Sequence, residues 1–279
     1  MVKKTENIEE YKVSTLYFSP TGTTKRIVAG IANRLMGKDE NLRINKIDFT
    51  LPKYREKGRQ FSKDDLVIVG VPVYAGRVPN VLIKYLNSIH SNGALAVALV
   101  VYGNRNYDDA LIELRDILDS NGFRVIAGAA FIGQHSFSNT LAKGRPDGKD
   151  MKIVNDFTDR LYDKIINLNN FETIAIKGNS SYRKYYKPID KEGKPRDIRS
   201  VEPKTSDNCI DCKICSNLCP MGSIDYEDVS KLNGICIKCN ACVKNCPTNS
   251  KYFDDHIYLT HKTELEMEFK ERKEPEIFI

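Results

Sequence analysis

Apolar residues along the first two-thirds of the chain fall into two alternating rhythms. The runs at 66–71 and 95–102 are nearly unbroken in apolar, often β-branched residues, as in strands buried on both faces. Residues 13–18, 42–48 and 124–131 read as three further strands. Between them apolar residues recur every three or four positions, which predicts helices at 23–35, 79–89, 108–120 and 149–168. Pro79 opens the second helix, the third closes near Asn121 and Gly122, and Ile153, Phe157, Leu161 and Ile165 share one face of the last. Five strands alternating with helices predict an α/β domain, a doubly wound parallel five-stranded sheet covered on both sides. Past residue 170 the rhythm fades. Residues 171–205 carry Tyr182, Tyr185, Tyr186 and three prolines, too long a stretch for an ordinary loop, and are expected to wrap between domains. Residues 264–269 alternate polar and apolar, which suggests a short strand or extended strap.

Ligands of such sheets sit beyond the C-terminal ends of the strands, where three loops carry candidate chemistry. Ser19-Pro20-Thr21-Gly22-Thr23-Thr24-Lys25 offers hydroxyls, backbone N–H groups and a helix start, the groups that hold a phosphate. It lacks the spacing of a Walker loop or of GxGxxG, and an ordinary capped turn has a similar composition. The loops at 72–79, with Tyr74, Ala75, Gly76 and Arg77, and at 102–107, with Gly103, Asn104 and Tyr107, each set an aromatic ring, a glycine and an arginine at a strand end. Surface tyrosines beside turn glycines would explain one such loop. Both beside the hydroxyl loop favour a flat heteroaromatic ligand, a flavin. In the segment 133–138 after the fifth strand, His135 is the candidate to hydrogen-bond a flavin or donate protons to a substrate; a structural or solvated histidine is the alternative. Residues 143–148 read as a polar turn with no assigned chemistry.

All eight cysteines lie after residue 208, in two runs of C-x-x-C-x-x-C-x-x-x-C-P. Cys209, Cys212, Cys215 and Cys219 are each followed 27 residues later by Cys236, Cys239, Cys242 and Cys246, an internal duplication. Disulfides do not suit a chain expected in the reducing cytoplasm, and zinc sites use separated pairs without a third cysteine two residues on. Soft thiolates suit iron, and this run with its closing Cys-Pro is the bacterial ferredoxin pattern. In that pattern the first three cysteines of a run cap one cubane and the fourth reaches the other. Cys209, Cys212, Cys215 and Cys246 are thus expected to hold one [4Fe–4S] cluster, and Cys236, Cys239, Cys242 and Cys219 the second. A module this small has little apolar core, so metal should supply much of its folding energy.

With these motifs in hand, residues 12–170 resemble a flavodoxin domain, and the whole chain resembles the flavodoxin–ferredoxin fusion proteins of anaerobic bacteria and archaea. The resemblance implies strand order 2-1-3-4-5 with FMN at the sheet edge. It implies that Ser19, Thr21, Gly22, Thr23 and Thr24 hold the FMN phosphate. Tyr74, Ala75, Gly76 and Arg77, with Gly103, Asn104 and Tyr107, would surround the isoalloxazine. The chain departs from the family in having no tryptophan, which many flavodoxins stack on the ring, and in a net charge of +6 over residues 1–170, where flavodoxins are typically acidic. The expected organisation is a flavodoxin-like FMN domain (1–170), a basic linker (171–205), a small α+β ferredoxin-like domain with two clusters (206–255) and a C-terminal strap (256–279).

Charge refines this picture only slightly. The chain carries +6 overall, with +4 in residues 171–205 and −2 in residues 206–255. No nucleic-acid motif accompanies the excess, so it reads as solvated charge or as a face toward acidic redox partners. The first residues lack an apolar signal core and no apolar run is long enough to span a bilayer, so a cytoplasmic protein is expected. No nicotinamide-binding GxGxxG is visible, so electrons are expected from redox partner proteins. The leading expectation is electron transfer between FMN and two [4Fe–4S] clusters, within one chain or across a homodimer. The alternatives are an FMN-dependent reductase of a small molecule and a docking or sensing protein whose flavodoxin domain binds no flavin.

Overall fold

The computed structural model describes residues 8, 11–167, 172–189 and 193–279. The amino-terminal segment read for a signal peptide lies outside the described residues, as does Leu168, the expected end of the last helix. In chain order the first part runs β1 (Lys12–Tyr17), α1 (Thr23–Lys38), β2 (Ile44–Asp48), β3 (Arg59–Ser62), β4 (Asp65–Pro72), α2 (Asn80–Leu86), β5 (Ile89–Asn92), β6 (Leu95–Tyr102), α3 (Ala110–Ser120), β7 (Arg124–Ile132) and α4 (Gly148–Ile166). The second part contributes β8 (Lys204–Thr205), α5 (Ile214–Asn217), α6 (Ala241–Lys244), β9 (Lys251–Tyr252), α7 (His256–Glu268) and β10 (Glu276–Phe278).

All eight residues of β6 are buried, as a central parallel strand requires. The main sheet has the order β10-β7-β6-β4-β1-β2, and its five parallel strands follow the 2-1-3-4-5 order of a flavodoxin. One apolar cluster on the sheet gathers Ile27, Ile31, Leu35, Phe157 and Leu161 from α1 and α4. The other gathers Leu82, Leu86, Leu111, Leu114 and Leu118 from α2 and α3. Helices therefore cover both faces, and the loops after β1, β4, β6 and β7 emerge together at one end. Among the described residues no helix is long and apolar enough to cross a membrane.

The structure corrects the sequence reading in three places. The main sheet has six strands, not five: β10 pairs antiparallel with β7, Ile277 opposite Ala129, along an edge whose alanines and Gly128 leave room for it. Residues 264–269 are not an extended strap but belong mostly to α7. There Asp255 caps the first turn by accepting from the Tyr258 N–H (2.9 Å), and the buried Tyr258, His261 and Leu265 follow a helical spacing that the six-residue alternation hid. Ile89 leaves α2 to open β5, which pairs parallel with β3 in a small second sheet whose short, polar strands give little sequence signal.

The cysteine module repeats itself in space as it does in sequence. Asp211, Lys213 and Gly222 take positive φ, and so do Lys238, Asn240 and Asn249, each 27 residues on. The bridge Ile224–Leu232 answers the β8–β9 pair Thr205–Lys251 in the same way.

Candidate functional site

At the loop after β1, the Gly22 N–H donates to the Ser19 carbonyl (3.3 Å), and Ser19 Oγ accepts from the Lys25 N–H (3.0 Å). Gly22 sits at φ 85° and starts α1 with no side-chain cap and no acidic residue in the first turn. Thr24 Oγ1 is buried with no hydrogen-bond partner among the described residues. N–H groups at the positive end of a helix and a buried, unsatisfied hydroxyl are the groups an anion such as the FMN phosphate satisfies. Ser19, Thr21, Gly22 and Lys25 line an open groove of about 840 Å³ that continues to Asn217, Leu218 and Asn245 of the cysteine module.

Tyr74 and Arg77 close a two-residue turn by exchanging backbone hydrogen bonds of 3.0 and 3.1 Å, with Ala75 and Gly76 both at positive φ. A Cβ on Gly76 would lie 2.1 Å from a carboxylate oxygen of Asp108, so only glycine lets this loop interlock with the one after β6. Three expected ring neighbours have their side chains engaged elsewhere. Arg77 donates to both carboxylate oxygens of Glu113 (2.7 and 2.6 Å) and to the Arg183 carbonyl (2.6 Å), between the rings of Tyr182 and Tyr185 at 4.8 and 5.0 Å. Asn104 Nδ2 donates to the carbonyls of Phe269 and Glu271 (2.7 and 2.8 Å), and the Tyr107 hydroxyl to Glu276 (2.8 Å). Arg77 thus fastens the linker, while Asn104 and Tyr107 fasten the C-terminal segment. What these loops leave for a ring ligand is Tyr74 and the backbone around Ala75, Gly76 and Gly103.

Gly103 backs directly onto His135, and a Cβ there would come within 2.5 Å of the imidazole Cδ2. His135 Nδ1 accepts from the Phe137 N–H (3.1 Å), which puts the ring proton on Nε2. Burial, with His261, Lys244 and Arg105 nearby, pushes its pKa down to about 4. A neutral ring at pH 7 suits donating a hydrogen bond from Nε2 rather than releasing a proton from an imidazolium.

The structure gathers the eight cysteines around two cavities. Cys209, Cys212, Cys215 and Cys246 line one, with the buried Lys251. Cys219, Cys236, Cys239 and Cys242 line the other. Among the described residues no three ligating side chains stand close enough for a single ion, whereas thiols spaced around a cavity suit a cluster with its own volume. Backbone N–H groups point at sulfur in both halves: Ser223 to Cys219 (3.4 Å) and, 27 residues on, Ser250 to Cys246 (3.1 Å). The paired left-handed residues curl the backbone into concavities of the kind that cradle anionic iron–sulfur centres. Burial pushes the Cys242 thiol up to about 12 and raises Cys239 as well. A bound metal is what makes such sulfurs thiolates.

The second cavity, which Ile237 helps to line, lies toward the flavodoxin domain. The Tyr74 phenol is raised by desolvation and further by the thiols of Cys239 and Cys236. Ile237, inside the same cysteine loop, packs against the core under α2 and α3. Phe137 and Cys236 both pack on the cluster of Val201, Phe253 and Tyr258. Arg55 donates to the Pro220 carbonyl (2.6 Å), and Lys244 to the Ser138 carbonyl (2.8 Å). Sequence reasoning missed Phe137, Ile237 and Tyr258. Phe137 lay inside the segment singled out for His135, but no spacing marks an apolar side chain as a bridge between domains.

Two family models match the chain: one described as a flavodoxin domain at residues 15–130, the other as a 4Fe-4S dicluster domain at residues 192–250. The chain is a flavodoxin–ferredoxin fusion, and its domains give it a redox, electron-transfer role with FMN and iron–sulfur clusters as cofactors. Similar solved structures include a flavodoxin from the domain Archaea, 18% identical over 55% of this chain and 98% of that one at a TM-score of 0.39. The flavodoxin of Streptococcus pneumonia TIGR4 is 18% identical over 55% and 98% (TM-score 0.38), and oxidised Flavodoxin 2 from Bacillus cereus is 15% identical over 55% and 99% (TM-score 0.40). No curated protein matches the chain.

Proposed function

We propose that this protein carries electrons between FMN, held by Ser19, Thr21, Gly22, Thr23 and Thr24 and by the Tyr74 and Gly103 loops, and two [4Fe–4S] clusters. Cys209, Cys212, Cys215 and Cys246 hold one cluster; Cys236, Cys239, Cys242 and Cys219 hold the other. Bound FMN supplies a centre that takes two electrons and releases them singly, and each cluster supplies a one-electron relay. The chain's own residues place these centres. The hydroxyl loop would fix the phosphate, the Tyr74 turn would face the ring, and Phe137 and Ile237 pack the two domains together. Residues 1–170 form the FMN domain, 171–205 the basic linker, 206–255 the ferredoxin domain and 256–279 a C-terminal segment, helix α7 and strand β10, that returns to the sheet. The protein serves redox partner proteins in anaerobic metabolism.

The observation that carries this reading is the packing of Ile237, from the Cys236–Cys239 loop, against the flavodoxin core under α2 and α3. Anaerobic purification tests it. The account expects about eight iron, eight acid-labile sulfides and one FMN per chain. Stoichiometric zinc without labile sulfide contradicts it.

A further inference from the structure

The 27-residue repeat pairs every group on the Cys236 side with a counterpart on the Cys209 side. Ile237, Lys238, Cys239 and Ala241 correspond to Ile210, Asp211, Cys212 and Ile214. On the Cys236 side this ridge is covered. Ile237 packs on the flavodoxin core, Lys238 Nζ is tied to the carbonyls of Arg199 and Cys236, and Cys239 and Ala241 are only 8% and 0% exposed. On the Cys209 side the same ridge is bare. Ile210 is 64% and Ile214 40% exposed, and Cys212 is exposed too.

The charges differ between the two copies in a way that selects an occupant. Asp211 stands where the covered ridge has Lys238, and Asp207, Asp211 and Glu227 are exposed around the bare isoleucines. Lys213, drawn down onto Asp211 (2.8 Å) and the Glu227 carbonyl (2.9 Å), offsets one of these three charges and leaves the ridge net acidic. The result is an apolar centre beside a cluster cavity, ringed by acid. A second copy of this chain docked by the same face would bring two acidic rims together.

We infer that the Ile210–Asp211–Cys212–Ile214 ridge is the docking surface for an external one-electron carrier protein with a basic rim around an apolar cofactor edge. The Cys236 side is then the internal face toward the flavin and the Cys209 side the outward port. This inference rests on the proposed cluster assignment. One electron crosses per encounter, one centre being oxidised as the other is reduced, with no bond made or broken. Burial of Ile210 and Ile214 supplies the contact, and the acidic rim steers the approach.

Cytochrome c, a basic one-electron haem protein, serves as the probe for the anaerobically purified full chain carrying FMN and clusters, reduced beforehand with dithionite that is then removed. Two quantities are read: the salt concentration that elutes the protein from immobilised cytochrome c, and the second-order rate of cytochrome c reduction. Asp207→Lys with Asp211→Lys should lower that rate about tenfold at low salt and the elution salt with it, as loss of steering predicts. Lys238 already occupies the equivalent left-handed position, so lysine is tolerated at 211. Glu40→Lys with Asp119→Lys, the same charge change at exposed sites of the flavodoxin domain, should have a small effect. Ile210→Ser with Ile214→Ser should weaken retention even at high salt. Equal losses in the control pair and the ridge pair overturn the inference. So does a wild-type dimer in sedimentation that Ile210→Asp splits, which would make a second copy the occupant. Unchanged docking in the ridge variants, with labile sulfide and cluster-to-flavin transfer intact, sinks the docking surface alone. Absence of labile sulfide from the wild type overturns the cluster assignment and the inference together.

Discussion

The ring of Phe137, in the loop after β7, lies 4.8 Å from the ring of Tyr258 on α7 and tilts 45° to it. Tyr258 in turn stacks on Phe253 at 4.5 Å and exchanges hydrogen bonds with Asn240, which sits between Cys239 and Cys242. An aromatic path thus joins the flavodoxin domain to the Cys236 side of the ferredoxin domain. Phe137→Ala should slow cluster-to-flavin transfer and cost about 2–3 kcal/mol, the low side for a phenylalanine because the ring is half-buried. FMN affinity should hardly change. Stopped-flow reduction with urea unfolding checks this; a variant as fast as wild type would show that the path only fastens the domains.

The phosphate loop makes a second prediction. Thr24 Oγ1 is buried and unpartnered, and Thr21 lines the adjoining groove. Hydrogen bonds to a charged group are worth about 1.5–3 kcal/mol each, so Thr21→Ala with Thr24→Ala should weaken FMN binding at least about tenfold. Thr24→Ser should keep most of the affinity. Fluorescence titration of apoprotein with FMN decides it, and an unchanged affinity would place the phosphate elsewhere.

The crossed set of cysteines can be tested one sulfur at a time. Cys219 lines the cavity of Cys236, Cys239 and Cys242 although it belongs to the first run. Cys219→Ser should first alter the spectroscopic signature of that cluster and spare its neighbour. Damage confined to the cluster of Cys209, Cys212 and Cys215 would refute the assignment.

His135 gives a pH dependence with a definite sign. Its folded pKa is pushed down to about 4 by burial and by His261, Lys244 and Arg105, with only Glu266 opposing. Between an unfolded value of about 6.5 and pH 4 the unfolded chain binds a proton that the folded one does not. Stability should therefore fall as pH drops through that window and be level above it, by at most about 3 kcal/mol. His135→Gln should flatten this slope by the share of His135, leaving that of His261, whose pKa burial also lowers. Parallel stability curves for variant and wild type between pH 4 and 7 would show that the imidazole charges freely in the fold.

The sequence made the parallel domain legible because its strands and helices have long, clean periods, and it made the cysteine pattern legible because a duplicated spacing is a local signal. It hid what the chain's far end does. The polar turn at 143–148 had no assigned chemistry, yet Arg145 is buried and paired with the fully buried Asp150, while Arg272 reaches Asp147 (2.7 Å) and Asp150 (3.2 Å) from the C-terminal segment. The same segment takes the side chains of Asn104 and Tyr107, which the resemblance to flavodoxins sets around the flavin ring. Partners more than a hundred residues apart leave no periodicity to read. The β10 edge strand is invisible for a related reason, since three residues gain strand character only from the β7 edge beside them.

That clamp predicts a stability effect. Removing one partner of a buried ion pair costs about 3–5 kcal/mol, so Arg145→Met should lower unfolding stability by about that much. Urea denaturation of the holoprotein measures it. A loss under about 1 kcal/mol would mean that Arg272 alone satisfies Asp150.

The central claim is that flavin and clusters form one electron-transfer unit, and its most direct test is the concentration dependence of internal transfer. The clusters of the intact protein are reduced rapidly by a one-electron donor, and the arrival of electrons at the flavin is followed across a wide range of protein concentrations. Packing of Ile237 against the flavodoxin core, and of Phe137 on the Tyr258 cluster, predicts a first-order rate that does not change with concentration. A rate that rises in proportion to protein concentration would show that electrons pass between molecules, leaving two independent carriers on one backbone.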